Sequence, residues 1–182
     1  MKLLNRLLFL SIHFMGTTNK PSRKLESVRA EIKLDTDPNL SYLGKYESSI
    51  PSSAKEYEII DREELGDMGR NECRFFIASN VENEKQAMEN YKRMEGYNKQ
   101  DWCCIGIRAA ADILISQNGK SWTVHHFSSG GLWGIESDSD KSYKEEIARE
   151  ELNSLKAELL VLGFTLKELK KPFADALINF NL

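Results

Sequence analysis

Apolar and polar positions alternate with period two in some stretches of the chain and recur every three to four residues in others. The two patterns separate strands from helices. The clearest alternation is WCCIGIRAAADILIS, residues 102–116, in which Cys103, Ile105, Ile107, Ala109, Ala111, Ile113 and Ile115 define an apolar core face. Residues 27–34 (SVRAEIKL) alternate in the same way and stop at DTDPN, which predicts a first strand. ECRFFIA, residues 72–78, is a shorter strand with Cys73, Phe75 and Ile77 on one side and Arg74 and Phe76 on the other. Residues 57–60 are a further short strand in an otherwise turn-rich region.

Helical spacing appears between and after these strands. Ala87, Tyr91 and Met94 stripe a helix over 81–95, with Ser79 or Asn80 as N-cap and Gly96 closing it. Ala148, Leu152, Leu155, Leu159 and Leu162 line one face of a long helix over 141–162, which Gly163 stops. A last helix is expected over 166–179.

Asn118-Gly119 is the preferred pair for a two-residue type I′ turn, so residues 120–128 are expected to return as a hairpin strand. That turn sets Gln117 opposite Lys120 and hence Ile115 opposite Trp122 and Ile113 opposite Val124. His126 then falls on the core side against Ala111. On the other face Asp112 lies opposite His125, with Phe127 against Ala110 and Arg108 against Ser129. Arg108, Asp112 and His125 are therefore the candidate polar surface on the sheet.

Together the elements predict an α+β fold, an antiparallel sheet of about four strands with two to three helices packed on one face. Residues 1–26 read as an apolar N-terminal segment and a polar linker, and residues 27–182 as a single domain. Within 1–16 (MKLLNRLLFLSIHFMG), Lys2 and Arg6 precede a short apolar run, as in a signal segment, but no small-x-small cleavage site follows. The expected location is the cytoplasm, with export the alternative if 1–16 act as a signal. Residues 1–20 contribute no strand or helix stripe and are expected to be dispensable for folding.

A net charge of −3 argues against a broad basic face for nucleic acid and is too mild for an acidic DNA mimic. Three cysteines, two of them adjacent and none in a CxxC, indicate reduced thiols.

The stretch SSGGLWGIESDSDKSY, residues 128–143, carries the most unusual chemistry. Asp138-x-Asp140-x-Ser142 imitates the start of an EF-hand loop, but the sixth position lacks glycine and the twelfth is Arg149. A looser Mg²⁺ or Ca²⁺ site on Glu136, Asp138 and Asp140 is one reading. Helix capping is the other: Asp140 or Ser139 as N-cap, with Ser142 and Glu145 at capping-box spacing. Trp133 either staples the helix start or stands out as a binding anchor. The glycines fit no phosphate loop, and adjacent His125 and His126 point to opposite faces of a strand and cannot share a metal. No cofactor is implied.

Residues 28–164 resemble a family of small uncharacterised proteins of bacteriophage and prophage genomes. The likeness rests on SYLGKY, IDREELGDMGRNECRFF, YKRMEGYNKQDW, IGIRAAADI and above all SGGLWGIESDSDKSY. It implies a phage or mobile-element origin and carries no catalytic residue with it. The expected function is non-enzymatic binding of another macromolecule, a host or phage protein, with counter-defence as one such role. A small metal-dependent enzyme acting on nucleotides or nucleic acid through Glu136, Asp138 and Asp140 is the alternative.

Overall fold

The computed structural model describes residues 22–67 and 72–179, and the apolar 1–16 segment lies outside the described residues. Eight strands and three helices follow in the order β1 (Ser22–Leu34), β2 (Gly44–Glu47), β3 (Ile59–Asp61), β4 (Phe75–Ala78), α1 (Glu84–Asn98), β5 (Cys104–Ser116), β6 (Thr123–Ser128), β7 (Leu132–Glu136), α2 (Lys141–Val161), α3 (Leu166–Ala174) and β8 (Leu177–Asn179). The class is α+β, as the alternation of patterns implies. The strands divide into two sheets, one of five strands and one of three. The linker expected up to residue 26 is shorter, because β1 already begins at Ser22.

β5 is the spine of the large sheet. β1 pairs with it antiparallel along its full length, apart from a bulge at Glu26. On the other edge β6 and β7 share β5 end to end, β6 against 110–115 and β7 against 104–107. Short β8 runs parallel to β1 at Arg29–Glu31. It takes the place of the last turns of the helix expected over 166–179, since α3 stops at Ala174.

The odd face of β5 is the core face. Ala109, Ala111 and Ile113, with Leu25 and Val28 of β1, pack against Leu155, Leu159, Phe164 and Leu169. Ile105, Ile107, Ala30, Ile32 and Ile135 pack against Ile147 and Ala148. Both helix faces follow the apolar stripe, and burying each such side chain contributes about 1.5–3 kcal/mol before chain entropy is set against it. Leu162 leaves the stripe: it is the C-cap of α2 and is exposed. Gly163 follows with φ +86°, and Phe164 N–H bonds back to Leu159 O, closing the helix in the left-handed manner glycine allows.

The small sheet, in the order β2-β4-β3, packs on α1. Phe76 and Ala78 of β4 face that helix core, and Ile77 between them is buried on the other side. α1 begins three residues later than the stripe suggests, because Asn83 accepts from Gln86 N–H and is the working N-cap. Gly96 does not end α1; it lies inside the helix beneath Trp102, which comes within 3.2 Å of where a Cβ would stand. Trp102 and Cys104 enter the same core, so the start of β5 joins the two sheets.

The β5–β6 turn differs from the two-residue expectation. Residues 117–122 form a longer loop in which Asn118 Oδ1 accepts from Lys120 and Ser121 N–H, and Ser116 Oγ accepts from Gly119 N–H. These side-chain bonds compete with a type I′ turn and win. The register moves by one residue: Asp112 pairs with His126, Ile113 with His125 and Leu114 with Val124.

Candidate binding face

α2 and α3 cover one face of the large sheet, and the even residues of β5 point to the other. A ladder of alternating charge crosses that open face. Arg108 Nε and Nη2 donate to Glu31 at 2.8 and 2.7 Å. Arg29 reaches Asp112 at 3.0 Å, and Asp112 also accepts from Ser27 Oγ at 2.7 Å and lies 2.6 Å from His126 Nδ1. Ionised carboxylate accepts only, so His126 Nδ1 is the donor in this contact. Ser27, His126 and Arg29 together hold the Asp112 carboxyl below the ordinary aspartate range, against the opposing effect of burial. Burial pushes Glu31 upward, but Arg108, with Lys33 and Arg29, more than offsets it and leaves the group lowered.

The sheet surface expected from Arg108, Asp112 and His125 thus exists with one member exchanged. His125 projects from the opposite face, beside Ile115, Asn118 and Ser121, and does not meet Asp112. His126, expected against Ala111 on the core side, takes its place on the open face with a side chain 77% exposed. A one-residue slip inverts every side chain of a strand, which is why the change of loop exchanges the two histidines. Ser27 bonds the carboxylate and not the imidazole, so the three groups do not form a nucleophile relay.

Trp133 lies on this face in β7, a strand where the sequence suggested a loop. Its ring rests flat on Gly106, and a Cβ at that position would overlap the indole. The Nε1–H donates to Gly130 O at 3.1 Å, which fixes the ring. Trp133 is 45% exposed, so it does not staple α2.

The three acids part company. Arg93 of α1 bonds Asp138 through both terminal nitrogens, at 2.6 and 2.5 Å, and Glu136 at 2.6 Å. Tyr42 O–H donates to the second oxygen of Glu136 at 2.7 Å, and the Arg93 guanidinium stacks 3.9 Å from the Trp102 ring centroid. Arg93 lowers the Asp138 carboxyl, and in return Asp138 and Glu136 raise the Arg93 guanidinium despite its burial. Burial and the bond to Glu136 together raise Tyr42. Asp140 stands at the N-cap of α2, but its side chain makes no capping bond, and Glu145 pairs with Lys141 and Arg149 instead of closing a box. Capping by Asp140 and the Ser142–Glu145 box are therefore corrected. The convergent pocket of Glu136, Asp138 and Asp140 that a metal reading needs is replaced by an internal clasp, with a guanidinium held between two of them. The loop docks onto its own chain.

Sequence reasoning missed Arg93, Tyr42, Ser27, Arg29 and Glu31. The outward positions of Ser27, Arg29 and Glu31 were readable from strand alternation. Arg93 carried no signal, because its partners are 43 and 45 residues away.

These features define an α+β protein whose large sheet is covered by α2 and α3 on one face and on the other only at its Cys104 end, by the α1 core, leaving a charged open face that carries one fixed indole. Compared with protein-family models, with curated proteins and with solved structures, the chain matches none. Among the described residues no helix is long and apolar enough to cross a membrane.

Proposed function

We propose that this chain is a phage-type protein that acts without catalysis by binding another macromolecule, a host or phage protein, through the open face of the large sheet. The observation that carries the reading is Trp133. An indole seated on Gly106 and tied to Gly130 is still 45% exposed and loses little freedom on contact. Fixed aromatic side chains of this kind are the residues on which interface energy concentrates. The ladder of Glu31, Arg108, Arg29, Asp112 and His126 beside it supplies a patterned polar surround, which favours specificity over affinity.

Affinity capture from bacterial lysate followed by mass spectrometry, with the native chain and Trp133→Ala side by side, tests the reading. A stoichiometric partner bound by the native chain should bind the variant about 30-fold or more weakly, the loss of an interface anchor. Equal capture by both chains, with equal melting temperatures, would remove the open face from the function.

A further inference from the structure

β1 uses its two edges unequally. On one edge β5 pairs with it from Ser22 to Leu34. On the other, β8 pairs with Arg29, Ala30 and Glu31 and with nothing before them. Asp35 N–H bonds Cys104 O, which sets the phase of the ladder: odd residues from Ser27 onward address β5 and even residues address the second edge. Ala30 satisfies that edge through β8, and Val28 is the even residue before it. The Arg29–Leu177 rung takes up the Val28 carbonyl, but the Val28 N–H, and the outward main-chain groups of the strand ahead of the Glu26 bulge, meet no strand among the described residues on that side.

This lane is walled. α3 runs beside it, and Glu168, Lys171, Pro172 and Asp175 face residues 23–28 across a groove of about 580 Å³, with Leu177 at its end. The charges on the lining balance, Arg23, Lys24 and Lys171 against Glu26, Glu168 and Asp175. Several are already engaged: Arg23 donates to Leu162 O and Gly163 O, and Lys24 pairs with Glu26 at 2.8 Å. Leu177 is 72% exposed.

We propose that the lane binds an extended peptide segment of a partner protein, added to the sheet as a strand beside β1. Unpaired main-chain donors and acceptors in a groove select an extended backbone before they select any side chain. The balanced lining fits a segment of low net charge, about five to seven residues long at roughly 3.3 Å each, with an apolar side chain against Leu177. The bulge at Glu26 and the Lys24–Glu26 pair twist and charge the edge, which bars indiscriminate stacking of flat sheet edges. A second copy offering its own β1 would bring a second α3 into the layer that the first already fills. This surface is separate from the Trp133 face, and the two proposals stand or fall independently.

A displayed library of random linear ten-residue peptides, selected on the full chain, tests the proposal. Enriched peptides are expected to slow amide exchange at Val28, to bind at least tenfold more weakly to Lys171→Trp, whose indole fills the groove from an exposed helix position, and to bind Trp133→Ala unchanged. Matching melting temperatures for both variants exclude misfolding. The proposal is overturned if no peptide is enriched, or if the enriched peptides leave Val28 exchange untouched. Protection of Val28 in the free chain would also overturn it, showing the lane filled by the chain's own residues 1–21 if independent of dilution, or by a second copy if lost on dilution. Binding abolished by Trp133→Ala would move the peptide to the open face, supporting that reading and sinking this one.

Discussion

Arg93→Met removes the cation that Glu136 and Asp138 share while keeping an apolar stem against Trp102. Asp138 is about half exposed (50%), so solvent screens its pair and the loss there is at most about 1 kcal/mol. Glu136 is 30% exposed and held at 2.6 Å, and leaving it without its cation costs about another 1 kcal/mol. The cation–π contact adds about 0.5–1 kcal/mol. The expected destabilisation is therefore about 2–3 kcal/mol, a fall in melting temperature of roughly 5–10 °C for a chain of this size. Urea unfolding of Arg93→Met, Asp138→Asn and the double variant should give a coupling energy of about 1 kcal/mol. The pH dependence has a defined sign. Arg93 lowers the folded-state Asp138 carboxyl, so its contribution is complete above the ordinary aspartate value near 4 and is lost as pH falls through the lower folded value. Native stability should then fall more steeply below about pH 4 than that of Arg93→Met. A loss under about 0.5 kcal/mol with no coupling would refute the clasp, leaving the apolar cluster around Trp102 as what joins the loop to α1.

Gly106→Val should expel Trp133 from its seat, lowering stability by about 1–3 kcal/mol and shifting indole emission to the red. NMR cross-peaks between the Hα atoms of Asp112 and His126, and of Leu114 and Val124, are expected from the longer loop; Hα cross-peaks between Asp112 and His125 instead would restore the two-residue turn. Gly163→Ala, at φ +86°, should cost about 1 kcal/mol in urea unfolding, and no loss would mean that α2 ends differently. Asp140→Ala should change stability by less than about 0.5 kcal/mol, since its side chain makes no capping bond; a loss near 1 kcal/mol would reinstate it as the cap.

The sequence by itself determined the elements whose signal is local. The odd-numbered apolar run of β5 and the Ala148–Leu159 stripe of α2 specify which face is buried whatever lies opposite, because side-chain direction follows from backbone period alone. The α+β class follows from those two periods. Tertiary structure decided what depends on a partner far along the chain. Asn118-Gly119 is compatible with two loops, and the capping bonds of Ser116 and Asn118 chose the longer one, exchanging His125 for His126 on the open face. Leu132–Glu136 is glycine-interrupted and reads as a loop until the uncovered edge of β5 gives it hydrogen-bond partners. The acids of that strand and the turn after it suggest a metal or a helix cap only while Arg93 is out of view. A charge cluster has no meaning of its own until the fold brings up the group that neutralises it, and α1 carries that group from more than forty residues away.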